Sequence, residues 1–160
     1  MMSRNTNQTG SAAGDVADLV TLNVGGQVFG IPVLQVRDVL SRLRIARVPL
    51  APREVAGVLN LRGRIVTTIE MRERLGLPAR SPDRACMSVV VEYRGEPYSL
   101  LVDSVGEVVS LKSDSFEPSP ATLSHHWRDL SRGIHRLDGS LLIVLDVDRL
   151  LDFGLTSRAA

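Results

Sequence analysis

The sequence predicts an all-β protein, and three observations indicate it. The 160 residues are 44% hydrophobic but only 4% aromatic, so the interior must be aliphatic. Val, Leu and Ile recur in short runs separated by turn residues, which is typical of strands and not of long helices. The same order of runs and turns occurs twice along the chain. Short strands closed by turns predict a small barrel or sandwich for each copy.

The first copy begins with a predicted hairpin. The segment "LVTLNVGGQVFGIPV" has two apolar stretches around Gly25 and Gly26, a pair that readily adopts the positive φ angles of a tight turn. The following "LQVRDVL" has apolar residues at mixed spacing and predicts a short helix or a helical turn. A second hairpin is predicted in "GVLNLRGRIVTTIEMRERL", with Arg62 and Gly63 at its turn.

The second copy repeats both hairpins. The segment "SVVVEYRGEPYSLLVDSVGEVV" aligns with the first hairpin at a constant offset of 69 residues, and "GIHRLDGSLLIVLDVDRLL" aligns with the second at an offset of 76. The connection between them is therefore longer in the second copy and contains Trp127. This tryptophan is expected either to anchor the long loop or to contact a neighbouring subunit.

These repeats predict the domain boundaries. Residues 1–17 are polar without apolar periodicity and are expected to form a disordered tail. A single domain is expected over 18–154, made of subdomains at about 18–78 and 86–154, with the exchange of strands between them left open. The intervening "GLPARSPDRA" is typical of a linker. Residues 155–160 are expected to be a C-terminal tail.

The N-terminal stretch and the single cysteine indicate where in the cell the protein is expected. A signal peptide needs an apolar core, which the polar "SRNTNQTGSAAGD" lacks, and the longest apolar run, Leu141 to Leu145, is too short to span a bilayer. Cys86 alone excludes an intramolecular disulfide. We therefore expect a cytoplasmic protein that does not insert into a membrane.

Several function classes find no support in the sequence. The net charge is +1 and the sequence has no basic run, so nucleic-acid binding is not expected. The three histidines, His125, His126 and His135, lack a convincing ligand spacing, so no metal is expected. Neither a phosphate loop nor a nucleophile elbow occurs. The sequence accordingly predicts no catalytic residue, no cofactor and no enzymatic activity.

Arg62 is the residue that the fold explains least. In the internal alignment it lies opposite Asp138, and Asp-Gly is a strong hairpin signal, so the turn itself does not require arginine. Either Arg62 is an ordinary solvated charge or it binds a partner. The valines that flank the hairpins have the same two interpretations, core packing or partial exposure beside a groove.

From Leu19 to Phe153 the sequence resembles the CheW family, the coupling (adaptor) proteins of bacterial chemotaxis. The motifs that carry this resemblance are the first hairpin, "GVLNLRGRIV", "LLVDSVGEVVSL" and "GSLLIVLDVDRLL", of which "NLRG" followed by an apolar strand is the most specific. The sequence departs from the family pattern at Thr67-Thr68 and at Glu70-Met71.

The resemblance implies two intertwined five-stranded SH3-like barrels with short helices. It also implies a non-enzymatic scaffold that couples the cytoplasmic tip of chemoreceptors (methyl-accepting chemotaxis proteins) to the regulatory domain of the histidine kinase CheA, in receptor arrays at the inner face of the membrane. An adaptor of a chemosensory pathway with an output other than swimming is the alternative. The partner-binding positions implied by the motifs are Val36, Asp38, Gly57, Asn60, Arg62, Gly63, Val105 and Val108.

Overall fold

The computed structural model describes residues 16–153. Of the predicted tails, residues 1–15 and 155–160 lie outside this range. Residues 16 and 17 belong to the first strand, which begins two residues before the expected domain boundary.

The two halves of the chain contain the same elements in the same order. The first half comprises β1 (Val16–Val24), β2 (Gln27–Pro32), a 3₁₀ turn (Val33–Gln35), β3 (Val36–Leu40), β4 (Val55–Leu61), β5 (Arg64–Glu70) and α1 (Met71–Arg74). The second half comprises β6 (Met87–Tyr93), β7 (Glu96–Val102), β8 (Ser104–Lys112), a 3₁₀ turn (Ser113–Ser115), β9 (Phe116–Glu117), α2 (His125–Leu130), β10 (Ser131–Leu137), β11 (Ser140–Leu145) and α3 (Val147–Leu151).

These strands form two sheets, which confirms the all-β prediction. The six-stranded sheet has the order β8-β1-β2-β11-β10-β9, and the five-stranded sheet has the order β3-β6-β7-β5-β4. Each sheet therefore takes two strands from one copy and the rest from the other, so the copies exchange strands. Neither ladder closes on itself, and β3 and β8 are edge strands of their sheets.

The structure follows the internal repeat closely. Under the 69- and 76-residue offsets, the order of the five-stranded sheet becomes that of β8-β1-β2-β11-β10 in the six-stranded sheet. The isolated bridge between Ala46 and Val58 takes the place of β9, which pairs with β10 through Glu117 and Ile134. The duplication seen in the sequence is thus a duplication of strand order and of register.

One large apolar core draws on strands of both sheets. Phe29 and Ile31 of the six-stranded sheet and Ile69 and Val89 of the five-stranded sheet all belong to it and are fully buried. Trp127 packs edge to face on Phe29 with ring centroids 5.4 Å apart. Its indole N–H also donates to the Leu75 carbonyl at 2.8 Å. Of the two roles expected for the tryptophan, it therefore serves as an internal anchor for α2.

The segment "LQVRDVL" forms one 3₁₀ turn and then a strand. The helical turn predicted here is confined to Val33–Gln35, and Val36–Leu40 pairs with β6. A longer helix does not form, because the β-branched Val36 and Val39 favour an extended backbone and pair with the valine-rich β6.

The predicted linker is anchored by a buried ion cluster. Arg80, whose side chain is only 8% exposed, contacts Glu70 at 2.5 Å and Asp103 at 2.8 Å. Asp103 also accepts hydrogen bonds from Arg72 and from the Gly25 amide. Burial by itself would raise the pKa of Asp103, but these hydrogen bonds hold its pKa well below the ordinary value. The cluster thereby ties the linker to both sheets.

Two structural observations, on membrane-spanning helices and on metal sites, apply to the described part of the chain. Among residues 16–153, no helix has both the length and the apolar character needed to cross a bilayer. Over the same range, no three His, Cys, Asp or Glu side chains come together in a way that could hold a metal ion.

Candidate partner-binding site

Asp38 is directed towards the site by an irregularity in β3. The pairing of β3 with β6 shifts register between Val36 and Asp38, and such a bulge re-aims the side chains that follow it. Asp38 is largely buried, and its Oδ1 accepts the amide of Val39 at 2.9 Å. The carboxylate is therefore held in one orientation at the sheet edge.

The β4–β5 turn presents Arg62. Arg62 and Gly63 both have positive φ angles, +52° and +86°, as a type I′ turn requires. Asn60 stabilises the turn, because its side-chain oxygen accepts the Gly63 amide at 2.9 Å. The side chain of Arg62 projects from this rigid hairpin and is 75% exposed.

The two residues meet as an ion pair. Nη2 of Arg62 lies 2.8 Å from Oδ2 of Asp38. The approach lacks hydrogen-bond alignment, so Oδ2, a buried atom, accepts no hydrogen bond from the described residues. The Arg62 guanidinium is therefore the charge that compensates this buried carboxylate oxygen.

Further ion pairs surround this one. Arg37 of β3 pairs with Glu92 of β6, and Arg64 of β5 lies 3.6 Å from Glu96 of β7. A shallow cavity of about 230 Å³ lies between them. It is lined by Arg37, Asp38, Leu61, Arg62, Arg64, Val66, Val90 and Pro97. The site combines an apolar floor with a rim of charges that alternate in sign.

The predicted valines lie on the edge strands of both sheets, Val36 on β3 and Val105 and Val108 on β8. Val36 and Val105, equivalent in the repeat, are partly buried and pack against the main core. The next equivalent pair is more exposed, with Val39 at 39% and Val108 at 55%. Val105 and Val108 belong to β8 of the six-stranded sheet, whereas Arg62 and Asp38 border the five-stranded sheet.

The two predicted glycines have different environments. Gly57 is buried at a bulge with φ +151°, and a Cβ there would collide with the Ala46 carbonyl. The backbone that approaches Gly57 closely is therefore the protein's own. Gly63 has open space around it and is constrained only by its φ of +86°.

Sequence reasoning missed Arg37 and Arg64 as members of the site. Both flank predicted residues by one or two positions. Strand alternation would place the adjacent Arg37 and Asp38 on opposite faces, and only the bulge lets both border one cavity, so alternation could not have found Arg37. Glu92 and Glu96 could not have been found, because their positions depend on the pairing of β6 with β3 and of β7 with β5.

The fold and the candidate site by themselves indicate a class of protein. The chain is a duplicated β protein with exchanged strands, and its candidate site is an exposed ion-pair surface at a sheet edge. Such a surface has the features of a protein-binding module.

Comparison with known proteins identifies the family. The model of the CheW-like domain matches residues 18–153, so the chain belongs to the CheW-like family. The chemotaxis protein CheW of Rhizobium meliloti is 28% identical over 131 residues, which cover 82% of this chain and 84% of that protein. The chemotaxis protein CheW of Helicobacter pylori is 28% identical over 137 residues, 86% of this chain and 82% of that protein.

A solved structure shows the same architecture. The crystal structure of the scaffolding protein TtCheW from Thermoanaerobacter tengcongensis superposes with a TM-score of 0.78 at 26% sequence identity. The match covers 87% of this chain and 94% of that one. This likeness confirms the predicted fold class.

Proposed function

We propose that this protein is a non-enzymatic scaffold that couples the cytoplasmic tip of a chemoreceptor to the regulatory domain of the histidine kinase CheA. It acts in the cytoplasm, in receptor arrays at the inner face of the membrane. Membership of the CheW-like family supports this role, and the structural neighbour is itself named a scaffolding protein.

The observation that carries the proposal is the Arg62–Asp38 pair. The guanidinium is exposed, and the Asp38 carboxylate that positions it is held in place. A partner carboxylate can bind the exposed face of the Arg62 guanidinium while Asp38 holds its other side. Charged hydrogen bonds of this kind contribute roughly 1.5–3 kcal/mol each when formed in a protein interface.

The remaining predicted positions support the site in different ways. Asn60 and Gly63 set the turn that presents Arg62. Val36 and Val105 support the edge strands from the core side, and Val108 offers apolar contact area on β8. An apolar helix face of a receptor tip fits such an aliphatic surface bordered by charge.

Charge reversal of Arg62 tests the proposal. Arg62→Glu is expected to weaken binding to a purified receptor fragment, to the CheA regulatory domain, or to both by about ten- to a hundredfold, because one charged hydrogen bond is lost and Asp38 is repelled. Isothermal titration calorimetry with each partner measures this.

Arg94→Glu is the matched control. Arg94 has the same φ of +52° and the equivalent place in the β6–β7 turn, but it lies outside the candidate site. Arg94→Glu should bind both partners as the unmodified protein does. Equal binding by Arg62→Glu, or equal losses in both variants, would refute the assigned role of Arg62.

A further inference from the structure

A groove of about 470 Å³ lies beside β4 and shares Leu61 with the Arg62 cavity. Its apolar surface comes from Leu40, Leu43, Leu59 and Leu61, and its remaining lining comes from Ser41, Arg42, Arg44 and Asn60. Volumes of this size are typical of binding clefts. The groove is thus large enough to hold a side chain with its flanking backbone.

The repeat shows that this groove is specific to the first copy. In the second copy β8 extends to Lys112 and pairs with β1 as far as Val16. Leu111, the repeat equivalent of Arg42, packs there against the small core of Leu19, Leu142 and Val144. The second copy therefore fills with its own leucine the region that the first copy leaves open.

The shorter pairing of the first copy opens the groove. β3 ends at Leu40, where it pairs with Ser88, so Arg42 lies outside the ladder. Arg42 instead has a φ of +41°, and its side chain is exposed. The chain has thus left the sheet before reaching the position that Leu111 occupies in the other copy.

The edge of β4 offers backbone hydrogen bonds inside the groove. Val58 exchanges two backbone bonds with Ala46, each 2.8 Å long. Because backbone groups alternate in direction along a strand, those of Asn60 point to the same side. No residue of the 41–44 loop bonds to them. An extended segment could therefore continue the ladder past Ala46.

The rim of the groove is basic. Residues 41–54 contain four arginines and one glutamate. Arg53 pairs with Glu73, but within residues 16–153 no acidic side chain lies in ion-pair range of Arg42, Arg44 or Arg47. This concentration of positive charge favours an acidic occupant.

We propose that the groove binds an extended acidic segment of a partner protein. One apolar side chain of that segment, of about leucine size, lies against Leu40, Leu59 and Leu61. Its backbone pairs with Asn60, and carboxylates on either side of the apolar residue face Arg42 and Arg44. The inference is independent of the receptor and kinase, since neither is needed to test it.

A defined peptide serves as the probe. An acetylated, amidated hexapeptide with one leucine among glutamates is titrated into the isotopically labelled full chain and followed by NMR. The expected result is saturable shifts of the backbone amides of Leu40, Ser41, Leu59 and Asn60. Replacing the leucine of the peptide by serine should weaken binding by about tenfold or more, since a buried leucine side chain contributes that much.

Two variants of the protein test the charges. Arg44→Glu, a substitution at an exposed position, should weaken binding of the peptide by about tenfold and reduce the salt dependence of binding. Arg128→Glu on α2 makes the same change in net charge at a residue that does not line the groove, and this variant should bind the peptide normally. Melting temperatures of both variants establish whether they are folded. If Arg44→Glu is unfolded, the proposal is tested by the serine peptide and by the pattern of shifted amides in the unmodified protein.

Other occupants give different outcomes, and each overturns the proposal. Concentration-dependent shifts of the same amides without peptide would mean that a second copy occupies the groove. Octanoate binding as tightly as the peptide would identify a site for small amphipathic acids. Equal binding of the leucine and serine peptides, or shifts confined to the Arg62 cavity, would show that the groove is not a peptide site.

Discussion

Within residues 16–153, two of the three arginines with positive φ angles lie in hairpin turns. Arg62 and Arg94 both have φ angles of +52°, and each precedes a glycine in a hairpin turn. Asp138 is not among the non-glycine residues with positive φ, so the turn opposite Arg62 in the repeat is of a different type. Arg62 and Asp138 therefore occupy equivalent positions in the repeat but have different backbone conformations.

The stability of the protein is expected to depend on pH through one histidine, His135. It is buried, its Nδ1 lies 3.1 Å from the Ser115 hydroxyl, and the Phe116 ring packs against it. Burial lowers the pKa of His135 below its ordinary value of 6.5. The unfolded chain therefore binds a proton more readily than the folded one, and stability falls as the pH drops below about 6.5.

We predict that His135→Leu removes much of this acid sensitivity. Leu59 occupies the equivalent position in the first copy, so leucine suits the site. Thermal melts at about pH 7.5 and about pH 5.5 should show a smaller decrease for His135→Leu than for the unmodified protein, whose loss is at most about 1.4 kcal/mol per pH unit. His125→Leu, at an exposed position, is the control. An unchanged decrease in His135→Leu would assign the effect to other groups.

At the scale of elements, the linker between the copies is a structural component. Its Arg80 lies in the ion cluster with Glu70, Arg72 and Asp103, which joins the end of β5, the start of α1, the β1–β2 turn and the β7–β8 junction. Proline and charge in this stretch predicted a linker. A single sequence gives no sign of burial for such an arginine, because its partners are distant in the chain.

We predict that Asp103→Asn destabilises the protein by about 3 kcal/mol, since it leaves Arg72 without its ion-pair partner and Arg80 with Glu70 alone. Because the folded pKa of Asp103 is depressed, its contribution is present above about pH 4 and is lost at lower pH. Urea denaturation at neutral pH measures the change. Arg53→Ala breaks an exposed pair with Glu73 and should cost less than about 1 kcal/mol. Similar costs for the two variants would contradict the role of the cluster.

The bulge at Gly57 is a second feature of the strands that affects stability. Gly57→Ala is expected to cost at least about 2 kcal/mol of stability, because the added Cβ meets the Ala46 carbonyl. Gly63→Ala meets no neighbouring atom and should cost only the strain of its φ, about 1–2 kcal/mol. Denaturation midpoints of both variants test this. A larger loss for Gly63→Ala would mean that the Gly57 bulge can relax.

At the scale of the whole molecule, the sequence predicted the duplication, the strands and the turns, because these follow from local periodicity. It left open the exchange of strands, which is settled by pairings such as Val28 with Leu142 and Ile69 with Leu100. It predicted Arg62 and Asp38 as site residues but not their ion pair, because the pairing depends on the β3 bulge. Long-range register has no signature in one sequence.

The exchange predicts that neither half folds alone. Fragments 1–83 and 84–160 should each show little near-native structure by circular dichroism and NMR, since β1 and β2 lack β8 and β11 in the first fragment. Mixed together, they should recover the native spectrum. A well-dispersed NMR spectrum from fragment 1–83 alone would show that the exchanged partners are dispensable.

The strand exchange also determines when the protein can fold during translation. Gly30 of β2 must wait for Val144, its partner in the parallel pairing, which the ribosome adds 114 residues later. At about 5–20 residues per second, this delay is on the order of 10 seconds. During that time the nascent chain carries the apolar β1–β2 hairpin without its sheet. Folding of the six-stranded sheet is therefore expected to wait until β11 has been synthesised, and the unpaired hairpin is open to ribosome-associated chaperones in the meantime.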